Sequence, residues 1–175
     1  TYRTQAQAQA MMETQRTYTY LDTQERLVVV TSTQIPFHIR RILANALDIP
    51  ASKIRVIKPR IGGGFGAKQT AQSEIYPALV TLKTGKPAKT VYTRKEAFTA
   101  TNTRHAMKIE ITLGADKKGK IKAIDMQVLS DTGAYGEHAQ TVAGAAGKKV
   151  LTLYNKVEAC RYRGKALYTN HVPGG

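Results

Sequence analysis

The residues of this chain best suited to chemistry are those of Ile61-Gly62-Gly63-Gly64-Phe65-Gly66-Ala67-Lys68-Gln69. Glycines on both sides of a lone phenylalanine leave the backbone almost without side-chain cover. Glycine is used where φ must be positive or where another group must come very close to the main chain. Exposed N–H groups in such a loop, followed by the start of a helix, suit an anionic or oxo-bearing ligand. The stretch reads as a cofactor cradle with Phe65 as an apolar wall.

A nucleotide is the first ligand to weigh. Gly62-x-Gly64-x-x-Ala67 satisfies the permissive dinucleotide fingerprint and lies between a predicted strand and a predicted helix. That fingerprint also wants an acidic residue about twenty positions on to hold a ribose hydroxyl. No carboxylate occurs between Glu74 and Glu96. The phosphate-loop pattern fails as well, because Gly66-Ala67-Lys68-Gln69 lacks the required glycine-lysine-serine/threonine ending. A glycine-rich turn that only packs helix on strand stays open as the plain alternative. Metal and nucleophile motifs are weak: His38, His105, His138 and His171 are widely spaced, and Cys160 sits in a basic predicted strand with no histidine close in sequence. Burial as a small hydrophobe is the simpler reading of Cys160.

The elements that must position the loop follow from periodicity. Thr17–Leu21 and Arg26–Thr31 read as a strand pair turned by Asp22-Thr23-Gln24-Glu25. Ile35, Ile39, Ile42, Leu43, Ala46 and Leu47 recur at helical spacing behind Pro36, and the helix should stop before Pro50. Lys53–Ile57 is a strand leading into the glycine loop. A second helix should follow the loop directly, with Ala71, Ile75, Ala78, Leu79 and Leu82 on one face and a kink at Pro77. Thr90–Thr93 reads as another strand. Met107, Ile109, Ile111 and Leu113 alternate with polar residues as in a half-buried strand, and Ile121–Leu129 returns antiparallel. Beyond Ser130, Gly133–Gly136 and Gly144–Gly147 are small and turn-rich, with a loop or short helix expected between them, before a last strand over Val157–Tyr168. Thr1–Gln15 reads as a polar tail. The mixture of hairpins and strand–helix–strand units places the fold class as α+β, a mixed β-sheet with antiparallel hairpins and two main helices.

Bulk properties narrow the function. The 175 residues suffice for one domain with a core or two small ones. No window is apolar for long enough to cross a bilayer, and no signal-peptide pattern opens the chain. One cysteine excludes an internal disulfide and an iron–sulfur cluster held wholly by this chain, and a reducing cytoplasmic setting is the default. The formal net charge of +15 is the global oddity. It leaves a basic binding module for RNA or another anionic partner as the alternative function, although no nucleic-acid motif accompanies the charge.

Gly62-Gly63-Gly64-Phe65-Gly66-Ala67-Lys68-Gln69 resembles the signature of the large, molybdenum-binding subunit of the xanthine dehydrogenase, aldehyde oxidase and carbon monoxide dehydrogenase family. Supporting stretches occur in the same order as in that family: Gln7–Thr14, Ser32-Thr33-Gln34 with Pro36 and His38, Arg104-His105, Asp131–Tyr135 and Tyr168–Asn170. The resemblance runs nearly the whole length and implies that residues 1–175 are the N-terminal part of a molybdopterin-binding region, a fragment of a larger subunit.

It further implies a molybdopterin cofactor, in the cytosine dinucleotide form, whose metal needs no protein side chain. It implies 2Fe-2S and FAD centres on partner subunits or domains. The implied reaction hydroxylates an N-heterocycle (a purine such as hypoxanthine or xanthine) or an aldehyde with oxygen from water. By resemblance, Gln7, Gly64, Phe65 and Gly66 contact the cofactor, the Gly66 N–H facing an oxo ligand. Phe65 and Gln69 contact substrate, Gln69 falling where the animal purine enzymes carry a glutamate. An amide both donates and accepts whereas an ionised carboxylate only accepts, so substrate handling should differ. A substrate-clamping arginine of those enzymes aligns near Ala145, which puts xanthine itself in doubt. The catalytic base, a glutamate, is expected in later sequence, so this stretch alone should be inactive.

Overall fold

The computed structural model describes all 175 residues, with four α-helices and eight strands in two four-stranded sheets. The chain forms two compact units, one of Ala8–Thr101 and one of Thr1–Gln7 with Asn102–Gly175.

In the Ala8–Thr101 unit, β2 (Arg16–Leu21) and β3 (Leu27–Thr31) form the expected hairpin. Its turn is set by Asp22, whose Oδ1 accepts the N–H groups of Gln24 and Arg26 at 2.9 Å each. Such side-chain-to-backbone bonds are why aspartate favours turns. Helix α1 (Pro36–Leu47) follows, ending where Asp48 takes a left-handed conformation. Strand β4 (Ile54–Ile57) then pairs parallel to β3, and β5 (Ala88–Val91) pairs antiparallel to β2, giving the order β4-β3-β2-β5. The core joins Leu27, Val29 and Ile54 of the sheet to Ile39 and Leu43 of α1 and Ala78 of α2 (Ile75–Thr84). Ala46, placed in the α1 stripe by periodicity, is exposed.

The helix expected directly after the glycine loop is displaced. Phe65 (φ 53°) and Gly66 (φ 99°) are left-handed, so the chain makes tight turns instead, closed by Ala67 N–H to Gly64 C=O and Gln69 N–H to Gly66 C=O. Helix α2 begins only at Ile75, and Pro77 sits in its first turn without interrupting it. Its buried face is Pro77, Ala78 and Thr81, whereas Leu79 and Leu82 are exposed. A buried row of hydroxyls explains the polar choice. Thr19 Oγ1 bonds Thr81 Oγ1 at 2.8 Å, and Thr17 Oγ1 bonds Ser73 Oγ at 2.9 Å. A short helix, α3 (Arg94–Thr99), was not anticipated; Thr93 and Glu96 form its capping box.

The other unit has the order β1-β6-β7-β8. The segment that reads as a polar tail supplies β1 (Tyr2–Thr4), which pairs with β6 (Ala106–Ala115). The hairpin partner β7 (Ile121–Gly133) runs past Leu129 because β8 (Ala159–Tyr168) pairs parallel to it as far as Gly133 and Tyr168. The loop or short helix expected between Gly136 and Gly144 is the start of α4 (Ala139–Leu151), which runs on through Gly144–Gly147, expected to be turn-rich. A Cβ on Gly147 would press into the Tyr162 ring, and the Tyr162 hydroxyl donates to the Ala143 carbonyl. Glycine is thus placed for close packing of the helix, not for a turn.

Candidate functional site

The loop of residues 61–69 is built from two brackets. The first is Glu13. Its carboxylate Oε2 accepts the Gly62 N–H at 2.9 Å and the Lys68 ammonium at 2.8 Å, while its own N–H donates to the Gly62 carbonyl at 3.1 Å. The Lys68 side chain is only 1% exposed, so this ion pair sits where a lone cation would be costly. Burial pushes the Glu13 carboxyl up, but the Lys68 and Gly62 hydrogen bonds, with the charges of Lys68 and Arg16, outweigh it and leave the pKa lowered.

The second bracket is Gln34. Its Oε1 accepts the N–H groups of Gly66 at 3.0 Å and Lys68 at 3.4 Å, and its own N–H donates to the Lys68 carbonyl at 2.9 Å. The Gly66 donor expected for an oxo ligand is therefore already bonded within the chain. The glycines are dictated from the same side. A Cβ on Gly62 would lie 2.7 Å from Glu13 Cβ, and one on Gly64 would fall on the Gln34 amide. A Cβ on Gly63 (φ 95°) would lie 2.9 Å from the Phe65 ring.

The opposite side of the loop is open. Phe65 is 72% exposed although its backbone is left-handed, a conformation disfavoured for a bulky residue. Gly63 and Phe65 make no backbone hydrogen bond within the chain, so their amides are available to a guest. One face of the loop is packed by protein; the other offers bare peptide and an aromatic ring. That division fits an oxygen-rich cofactor resting on peptide amides.

Gly64, Phe65, Gly66 and Gln69 are thus brought together, with the Gln69 N–H tied to Gly66. Gln69 does not start a helix. Gln7 belongs to the other compact unit, where its carbonyl accepts the Arg104 N–H at 2.9 Å. Ala145 lies within α4. No group of three or more His, Cys, Asp or Glu side chains is arranged to hold a metal ion.

A second bracketed loop follows β7. Asp131 Oδ1 accepts from the Thr169 hydroxyl at 2.6 Å and the Gly133 N–H at 2.9 Å, and Oδ2 lies 2.7 Å from His171 Nδ1. The Thr169 bond, assisted by His171 and the Gly133 N–H against some burial, holds the Asp131 pKa at about 2. Two residues beyond Gly133, Tyr135 is 84% exposed at a φ of 67°. Nearby, buried His105 bonds Ser130 through Nδ1 at 2.8 Å, and burial lowers its pKa.

The family model for the molybdopterin cofactor-binding domain matches residues 1–175, the whole chain. The chain belongs to the molybdopterin cofactor-binding domain family. The xanthine dehydrogenase molybdenum-binding subunit of Escherichia coli O157:H7 is 42% identical over 175 residues, covering 99% of this chain and 23% of that protein. The nicotinate dehydrogenase large molybdopterin subunit of Eubacterium barkeri is 35% identical over 175 residues, covering all of this chain and 41% of that protein. Among solved structures, quinoline 2-oxidoreductase from Pseudomonas putida 86 superposes with a TM-score of 0.82 at 28% identity, over 99% of this chain and 23% of that one. This molybdopterin-domain chain therefore spans under half the length of each relative. None of them supports the RNA-binding alternative.

Three residues of the loop's support carried no role in the sequence reading. Glu13 and Gln34 stand inside stretches quoted for the resemblance, and Lys68 inside the loop itself, but their partners are 55 and 34 residues away along the chain. A lysine in a glycine loop reads as an exposed cation until the fold buries it.

Proposed function

We propose that this chain is the N-terminal part of the molybdopterin-binding region of a molybdenum hydroxylase. The single observation that carries this reading is the loop with its packed inner face and its open outer face around Phe65. Gly64, Phe65 and Gly66 would hold the cofactor, which when bound supplies two-electron oxidation of a carbon centre with oxygen from water; Gln7 is proposed as a cofactor contact on the family resemblance alone. The chain's own part is to present the Gly63 and Phe65 amides, to keep the backbone slim, and to shape the substrate slot with the Phe65 ring. Gln69 would contact the substrate as both donor and acceptor.

The substrate class proposed is an N-heterocycle such as hypoxanthine or xanthine, with an aldehyde as the alternative within the same chemistry. The relatives named for xanthine, nicotinate and quinoline favour the heterocycle. The cytosine dinucleotide form of the cofactor, 2Fe-2S and FAD partners, and a cytoplasmic setting belong to the same proposal. No helix is long and apolar enough to cross a membrane.

The test uses the full-length parent. Phe65→Ala, at unchanged molybdenum loading, should lower kcat/KM for the oxidised heterocycle by about tenfold or more, the loss of roughly 1.4 kcal/mol of transition-state stabilisation. Unchanged turnover at full loading would remove Phe65 from the site. Gly66→Val should block loading itself, read as molybdenum content after gel filtration.

A further inference from the structure

Strand β4 forms one edge of its sheet, pairing only with β3. An edge strand turns the N–H and C=O groups of alternate residues outward, a template for another strand. Beside this edge lies a cleft of about 390 Å³, lined by Arg26 at the start of β3, Phe37 and Arg40 of α1, and Arg55, Val56 and Lys58 at β4. Phe37 is 81% exposed. Arg26 is neutralised by Asp22 at 2.9 Å, but Arg40, Arg55 and Lys58 form no ion pair, and no carboxylate lines the cleft.

We infer that this edge docks an extended acidic segment of a separate partner polypeptide, added to the sheet as a fifth strand beside β4. Main-chain bonds to the outward amides of β4 would supply the pairing, and side-chain pockets the selectivity. Alternation places Arg55 on the face opposite Ile54 and Val56. The incoming strand therefore needs apolar residues toward Phe37 and Val56, and carboxylates toward Arg55, with a further acid near Lys58. A second copy of this chain is disfavoured by the same charges, since edge-to-edge pairing would set Arg55 and Lys58 against their own kind.

The test titrates the full-length parent with a synthetic peptide of alternating valine and glutamate, reading affinity by calorimetry and protection by amide hydrogen exchange. Saturable binding is expected that weakens with added salt, as screening requires. Alternate amides within residues 54–57 should become protected. N-methylating one alternate set of peptide amides should abolish binding, whereas methylating the other set should be tolerated, because an added strand bonds the sheet along one edge only. Phe37→Ala, an exposed position whose loss leaves the core intact, should weaken binding about fivefold, the scale of a single interface anchor of about 1 kcal/mol.

Absence of saturable binding would overturn the inference, as would equal binding of an alternating valine–lysine peptide. So would binding indifferent to both methylation patterns, since charge alone then explains it. Self-association that buries β4 without any peptide would assign the edge to a second copy and likewise reject the partner. Protection of alternate amides within residues 54–57 of the full-length parent before any peptide is added would assign the edge to the parent's own later sequence and reject the separate partner.

Discussion

The two bracketed loops solve one problem with different materials. In each, a carboxylate accepts the N–H of the entering glycine at 2.9 Å, Glu13 for Gly62 and Asp131 for Gly133. In each, an exposed aromatic residue downstream is held left-handed, Phe65 in one and Tyr135 in the other. The countercharges differ. Glu13 faces a lysine whose side chain is 1% exposed, whereas Asp131 faces a histidine that is 72% exposed. A buried countercharge cannot be replaced by solvent, so the glycine loop is fixed by an interaction that must be kept whole. The Asp131 loop is held by hydrogen bonds that water can partly replace.

The largest contrast should come from removing the countercharges. Lys68→Met strands part of the Glu13 charge and should cost about 3 kcal/mol, as breaking buried pairs does. His171→Ala should cost under about 1 kcal/mol, because that pair is exposed. Chemical denaturation of both variants measures the difference, and equal costs would dissolve the distinction between the loops. Adding Glu13→Gln to Lys68→Met should recover part of the loss.

The glycines give the next contrast. A Cβ on Gly133 (φ 66°) would run into the backbone of His171 and Val172, which cannot step aside, while one on Gly64 meets the Gln34 side chain, which can. Gly133→Ala should therefore cost about 2–3 kcal/mol and Gly64→Ala about 1–2 kcal/mol, within the range for overpacking. In a Gln34→Ala background the Gly64→Ala increment should shrink, a coupling that a double-mutant cycle reads directly. An unchanged increment would mean that Gln34 is not what requires glycine there.

Acid should release the loops by different routes. Asp131 has a pKa lowered from 3.8 to about 2, so its contribution is complete above 3.8 and is lost as the pH falls toward 2. Glu13 is lowered from 4.5, so the same sign applies, its contribution fading as the pH drops below that ordinary value. Protonating Glu13 also leaves Lys68 buried without its countercharge, so Gly62 should lose amide protection more abruptly than Gly133. Asp131→Asn should remove the acid dependence at Gly133 and leave that at Gly62 intact. Hydrogen exchange at the two glycines, corrected for intrinsic rates, decides it.

What the sequence made legible was periodic or compositional. The hairpin around Asp22, the α1 stripe of Ile39 and Leu43, and the antiparallel pairing of β6 with β7 follow from local pattern, and they stand. The half-buried alternation of β6 does not, since Ile111 and Leu113 are exposed. The identity of the glycine loop was readable because its residues are contiguous. Its support was not, because Glu13, Gln34 and Lys68 acquire meaning only through contacts across tens of residues. The extension of α4 through Gly144–Gly147 is not legible because that stretch carries turn-like composition, while Gly147 serves tight packing against Tyr162. The capping box of α3 was written in Thr93-Arg94-Lys95-Glu96, a local signal that could have been read.

The smallest effect tests why the two aromatics tolerate their backbone. A left-handed conformation costs a non-glycine residue about 1–2 kcal/mol. Glycine removes that strain but adds about 0.5–1 kcal/mol of unfolded-state entropy. Phe65→Gly and Tyr135→Gly should therefore each raise stability slightly, by about 0.5 kcal/mol on this balance. Both side chains are largely exposed, so little packing is lost to mask the gain. A gain at both positions would show that folding does not ask for these rings, leaving ligand or substrate contact as the reason to keep a strained aromatic. A loss at Tyr135 alone would separate the loops once more, making Tyr135 a structural plug and leaving Phe65 as the residue held out for chemistry.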